Sequence, residues 1–128
     1  VWKLVASFAL LLIAGCNSIA GVAMMGPKDL QAQPTHVIAA SYGDDYWGGG
    51  KALEAELRNR QAFTDAQWDQ IKAKKIGVGD RGDLVLAAWG SPKDVNEYTS
   101  ANGTTTIWRY EGGSTVWFDD GAVSLIRN

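Results

Sequence analysis

The strongest constraint on this chain lies in its last third, where glycine turns divide an alternating apolar pattern into short pieces. Asn102-Gly103 and Asp120-Gly121 are two-residue hairpin signals, because the turn that suits twisted paired strands needs positive φ at both central residues. Gly112-Gly113 marks a third turn between them. Connections this short join only antiparallel neighbours. The pattern therefore predicts a four-strand antiparallel meander over about 94–101, 104–111, 114–119 and 122–127. The Asp120-Gly121 turn sets Phe118 opposite Val123 and Val116 opposite Leu125. The Asn102-Gly103 turn sets Tyr98 opposite Ile107 and Val95 opposite Tyr110.

Alternation along the strands divides the sheet into two faces. One holds Val95, Trp108, Tyr110, Val116, Phe118, Val123 and Leu125, assigned to the core. The other carries Tyr98, Ile107, Arg109, Trp117 and Ile126. A face meant only for water rarely holds so many large groups, and contiguous exposed apolar surface marks a contact site. Trp, Tyr and Arg are also the residues enriched at binding hot spots. Tyr98, Ile107, Arg109 and Trp117 are thus the candidate partner-binding residues. The competing expectation is that residues around Tyr42–Trp47 fold back and cover this face.

Upstream, the period is helical. A helix starts near Lys51, with Leu53 and Leu57 at i, i+4 and the charge pairs Glu54/Arg58 and Glu56/Arg60 in the favourable order. Thr64 and Gln67 form a capping-box pattern, with Phe63 and Trp68 at the staple positions. They predict a helix from Asp65 to about Lys75, facing Trp68 and Ile71 inward. A third helix is expected from about Arg81 to Trp89, with Asp80 as N-cap and Val85 and Trp89 on one face. Gly90 and Pro92 end it. Helices followed by a meander give an α+β fold, two or three helices packed on one sheet face. Its expected extent is 51–128.

The N-terminal part reads differently. A basic start (Lys3), the apolar segment Leu4–Gly15 and small residues before Cys16 follow the order of an export signal. Cys16, the only cysteine, closes Leu12-Ile13-Ala14-Gly15, which resembles the lipobox of bacterial lipoproteins. That resemblance implies a signal peptide over 1–15 and lipidation of Cys16. Asn17, where Asp would retain a lipoprotein in the inner membrane, implies outer-membrane sorting with the domain on the periplasmic side. Two other readings stay open. Leu4 to Gly26 has no charged residue and is long enough to span a membrane as an uncleaved helix, and Cys16 could be an ordinary buried thiol. Residues 16–50 are read as the lipidated N-terminus and a flexible tether, since Gly26-Pro27, Gln33-Pro34 and Gly48-Gly49-Gly50 interrupt any apolar period.

From Gln67 to Arg127, about half of the chain, one order of short motifs stands out. It runs Ile76-Gly77-Val78-Gly79, Asp83-Leu84-Val85, Trp89-Gly90-Ser91-Pro92, Trp108-Arg109-Tyr110 and Val116-Trp117-Phe118-Asp119-Asp120-Gly121-Ala122-Val123. It resembles the SmpA/OmlA domain, the module of BamE-like outer-membrane assembly lipoproteins. Asp80 and Arg81 depart from that pattern, which usually has Met and then Ser/Thr there. The resemblance implies two helices on a small antiparallel sheet, and a lipid-anchored periplasmic adaptor whose partners are outer-membrane assembly proteins. A ligand-binding or inhibitor-like periplasmic module of the same fold is the alternative.

Chemistry is harder to find. His36 is the only histidine, which argues against a Ser/His-type pair or a multi-His metal site. Asp119-Asp120 is turn chemistry, and no loop has calcium-ligand spacing. Gly48-Gly49-Gly50-Lys51 lacks the strand and the Ser/Thr of a phosphate loop. A formal charge of −2 supplies no basic surface for nucleic acid. The expectation is a non-enzyme with no catalytic residue, no metal and no cofactor.

Overall fold

The computed structural model describes residues 19–45 and 49–128, without the side chains of Ile19 and Ala20. Cys16 and the segment before it lie outside these residues. So does the sequence 46–48, with Trp47. The helices are α1 (Ile19–Val22), α2 (Pro27–Gln31), α3 (Thr35–Asp44), α4 (Gly50–Asn59), α5 (Asp65–Lys72) and α6 (Gly82–Trp89). The strands are β1 (Asp94–Ser100), β2 (Gly103–Arg109), β3 (Thr115–Asp119) and β4 (Ala122–Arg127). The sheet is antiparallel in the order β1-β2-β3-β4, so the fold is the expected α+β meander with helices. Among the described residues no helix is long and apolar enough to cross a membrane. The apolar stretch is broken where α1 ends at Val22 and Gly26 precedes α2.

The tether expectation is corrected over its described part. Residues 19–45 form three helices, and Val22, Leu30, Ile38 and Ala39 sit in the larger core with Leu53, Leu57, Trp68, Ile71 and Leu84. The prolines read as interruptions are helix starts: Pro27 occupies the first turn of α2 and Pro34 is the N-cap of α3. A missing N–H costs nothing where the helix has no partner for it. Burying Ile38 alone contributes about 1.5–3 kcal/mol, which no flexible linker would supply.

Helix α6 is the hinge between two cores because it is apolar on more than one side. Leu84, Ala87 and Ala88 face the helices, whereas Val85 packs on Val116, Phe118 and Val123 of the sheet. Helix α3 crosses α6 at close range. A Cβ at Gly43 would lie 2.6 Å from Gly90 N, so only glycine permits this approach. Asp44 then bonds across the gap, accepting from Ser91 N–H and Ser91 Oγ–H, both at 2.7 Å.

Local signals behave as expected at α4 and α5. Leu53 and Leu57 are buried, and Arg58–Glu54 and Arg60–Glu56 pair at 2.8 and 2.7 Å. The capping box forms, with Gln67 N–H donating to Thr64 Oγ1 and Thr64 N–H to Gln67 Oε1. Phe63 meets Trp68 edge-on at 5.4 Å. Helix α5 ends at Lys72, earlier than expected, because Lys74 takes a left-handed φ of 55° and Lys75 N–H closes back on Gln70 O. That is a Schellman closure with lysine in the place glycine usually fills. Glu54 ties α4 to both neighbours, accepting from Tyr42 Oη (3.2 Å) and pairing with Lys72.

Asp80 is not the N-cap of α6. That place belongs to Arg81, without a side-chain cap. Asp80 instead accepts from Gly77 N–H (2.7 Å) and from Gln70 Nε2. Its loop runs beside the start of β4, where Gly79 N–H donates to Val123 O and Val123 N–H to Asp80 O, both 2.8 Å. The main-chain pairing to β4 competes with the cap and wins.

Candidate functional site

Two register effects decide which side chains share the outer face of the sheet. In the first hairpin Ser100 pairs with Gly103, Tyr98 with Thr105 and Val95 with Trp108, two residues away from the expected register. Positive φ falls on Gly103 (122°), not on Asn102, so Ala101-Asn102 make the turn. A shift of two leaves each side chain on its own face. The Asp120-Gly121 turn forms as expected, with φ of 49° and 85° and Phe118 opposite Val123.

Beyond that pair the register slips by one between Trp117 and Phe118, so Trp117 faces Leu125 and Val116 faces Ile126. Ser124 is the extra residue of a bulge, its Oγ–H donating to Trp117 O at 3.2 Å. This reverses the two expectations for the end of β4. Ile126 packs against the sheet core, and Leu125, expected inside, is 45% exposed on the outer face. Val95 is also corrected: it is 56% exposed, because β1 lies beyond the cover of Val85 and its neighbours. Trp108, Tyr110, Val116, Phe118 and Val123 are on the core side as expected.

The outer face is therefore built around one cross-strand row, Asn96, Ile107, Trp117 and Leu125. On one side lie Asp94, Arg109, Thr115 and Arg127; on the other lie Tyr98, Thr105 and Asp119. Of the candidate residues, Ile107 and Trp117 are directly opposed, and Tyr98 and Arg109 sit on diagonals from them. Tyr98 is 59% exposed, and none of Tyr98, Ile107, Trp117 and Leu125 belongs to either apolar cluster. The Arg127 guanidinium is 5.8 Å from the centre of the Trp117 ring, close enough for cation–π attraction. Thr105 Oγ1–H donates to Asp119 Oδ1 at 3.1 Å, so the Asp119 carboxylate is engaged at the margin. Leu125 and Arg127 were missed from sequence, since the bulge that turns Leu125 outward leaves no local mark.

The expectation that Tyr42–Trp47 covers this face fails for Tyr42, which packs edge-on against Trp68 at 5.7 Å within the helical layer. An apolar row with aromatic and arginine margins is suited to excluding water against a partner of similar shape. Among the described residues no three His, Cys, Asp or Glu side chains converge as metal ligands. His36 lies exposed on α3. Compared with protein-family models, curated proteins and solved structures, the chain matches none.

Proposed function

We propose that this protein is a lipid-anchored adaptor at the periplasmic face of the outer membrane, acting through protein–protein contacts on the outer face of its sheet. The observation that carries the reading is the row Ile107–Trp117–Leu125, which lies outside both apolar clusters and is bordered by Tyr98 and Arg109. Two features of the sequence support the setting. Cys16 follows Leu12-Ile13-Ala14-Gly15 as in a lipobox, and the motifs from Ile76 to Val123 resemble the SmpA/OmlA domain of outer-membrane assembly lipoproteins. Two or three acyl chains on Cys16 would anchor the chain stably where one would not.

The test has two parts. Cys16→Ala should leave the protein unprocessed or move it from membrane to soluble fractions. Trp117→Ala should cost about 2 kcal/mol or more of partner affinity, a factor of roughly thirty, read as loss of crosslinked and co-purified outer-membrane assembly components. Unchanged partition in the first variant and unchanged crosslinking in the second would each count against the proposal. The alternative, a periplasmic ligand-binding module, is favoured by one observation, a basic cleft on the helical side.

A further inference from the structure

Described residues of α3, α4, α5 and α6 line a cleft of about 610 Å³ in the helical layer. Its rim carries Lys51, Arg58, Lys72 and Lys74 against Asp45 and Glu54. In a chain with 12 basic and 14 acidic residues, a third of the basic ones meet at this opening. Glu54 is already engaged by Arg58, Lys72 and Tyr42. Arg58 also lies over the Trp68 ring at 4.5 Å. Lys51 and Lys74 are exposed and have no ion pair among the described residues. The rim therefore offers unspent positive charge at two points.

The small residues Gly43, Ala87 and Ala88 are part of the cleft's lining. Past Gly43, Lys74 and Ala88 it continues into a second hollow of about 310 Å³, lined by Trp89, Tyr110, Glu111 and Ser114. The two hollows meet at Lys74, with Lys51, Arg58 and Lys72 at the lysine end and Trp89 and Tyr110, beside Glu111, at the other. A lone carboxylate or phosphate would use only the lysine end. A chain of residues would use both.

We propose that this groove binds an extended acidic peptide segment, its carboxylates at Lys51 and Lys74 and an aromatic side chain at the Trp89–Tyr110 end. The groove runs from the helical layer to the β2–β3 turn and is lined by none of Tyr98, Ile107, Trp117 and Leu125, so its test is independent of the adaptor reading. The probe is a short fluorescein-labelled peptide alternating Glu and Gly with one Trp, titrated into the full chain and read by anisotropy. Saturable binding is expected, at least about tenfold tighter than for the same peptide with Gln in place of Glu. The double variant Lys51→Gln/Lys74→Gln should weaken it about fivefold to tenfold, and Trp117→Ala should leave it unchanged. Absence of saturable binding, equal affinity for the Gln peptide, or no change in the double variant would overturn the proposal. Full displacement by inorganic phosphate at matched ionic strength would also overturn it, in favour of a small-anion site.

Discussion

Gly43→Ala is the sharpest test of how the two halves of the molecule are joined, because two physical effects predict opposite signs. Helix propensity alone makes alanine better than glycine within a helix by about 0.5–1 kcal/mol. Packing says the reverse. The added Cβ would lie 2.6 Å from Gly90 N and 2.7 Å from Gly90 Cα, and nearer still to Leu86 O. All three are backbone atoms, so no side-chain rotation relieves the clash. To restore ordinary contacts near 3.2–3.5 Å to all three atoms, α3 and α6 must part by more than about 1 Å, a gap that forfeits roughly half or more of the dispersion attraction along the seam. Overpacking of this kind costs about 1–3 kcal/mol. The same displacement pulls Asp44 from Ser91, and hydrogen bonds to a charged group are worth about 1.5–3 kcal/mol. After the helix gain, the net loss is about 2–5 kcal/mol, a large part of the roughly 5–15 kcal/mol that holds a domain together. Denaturation followed by tryptophan fluorescence should show a Tm lower by about 10 °C or more. Gly26→Ala is the control, since its Cβ would meet nothing within 4 Å. A Gly43→Ala protein as stable as the parent, or more so, would refute the close crossing.

Two predictions concern pH. Burial, and to a lesser degree the Asp44 charge, push the Tyr110 phenol well above its usual range, and its hydroxyl donates to Gly90 O at 3.0 Å. A raised folded pKa means stability that is present below the unfolded value near 10 and lost as pH rises beyond it. Tyr110→Phe should cost about 1 kcal/mol at neutral pH and flatten the alkaline fall; parallel alkaline profiles would refute this. At the acid end, hydrogen bonding from Lys72 foremost, and also from Arg58, holds the Glu54 carboxyl below its usual value despite some desolvation. That stability is present above the unfolded value near 4.5 and lost as pH falls through the folded one. Because Lys72 and Glu54 are accessible to solvent, Glu54→Gln should remove only a few tenths of a kcal/mol of acid-dependent stability. Midpoints of the two proteins should converge as pH is lowered toward about 3, and a constant gap would contradict the assignment.

Interactions that close within a few residues were legible in the sequence. The capping box of α5, the i, i+4 pairs of α4 and the Asp120-Gly121 turn each depend on neighbours in the chain, and each forms. Helix α3 shows the opposite case. Thr35–Asp44 has no side-chain cap, and its buried residues Ile38, Ala39, Ala40 and Ser41 run consecutively instead of repeating with the helical period. What stabilises it is the close crossing with α6, supplied from more than forty residues away. The candidate face divides in the same way. Alternation alone identified Tyr98, Ile107, Arg109 and Trp117, because a shift of two in the first hairpin leaves faces unchanged. The single-residue slip at Ser124 does not, and it exchanged Leu125 for Ile126.

By itself, then, the chain's order of residues determined the architecture class, the capped start of α5, and the alternation that puts Tyr98, Ile107 and Trp117 on one side of the sheet. Tertiary structure decided how far the folded unit extends toward the N-terminus and which residue of β4 faces outward. The reason is range. A cap or turn gains its hydrogen bonds from residues three or four positions away, whereas a helix crossing or a bulge gains its free energy only when distant backbones meet.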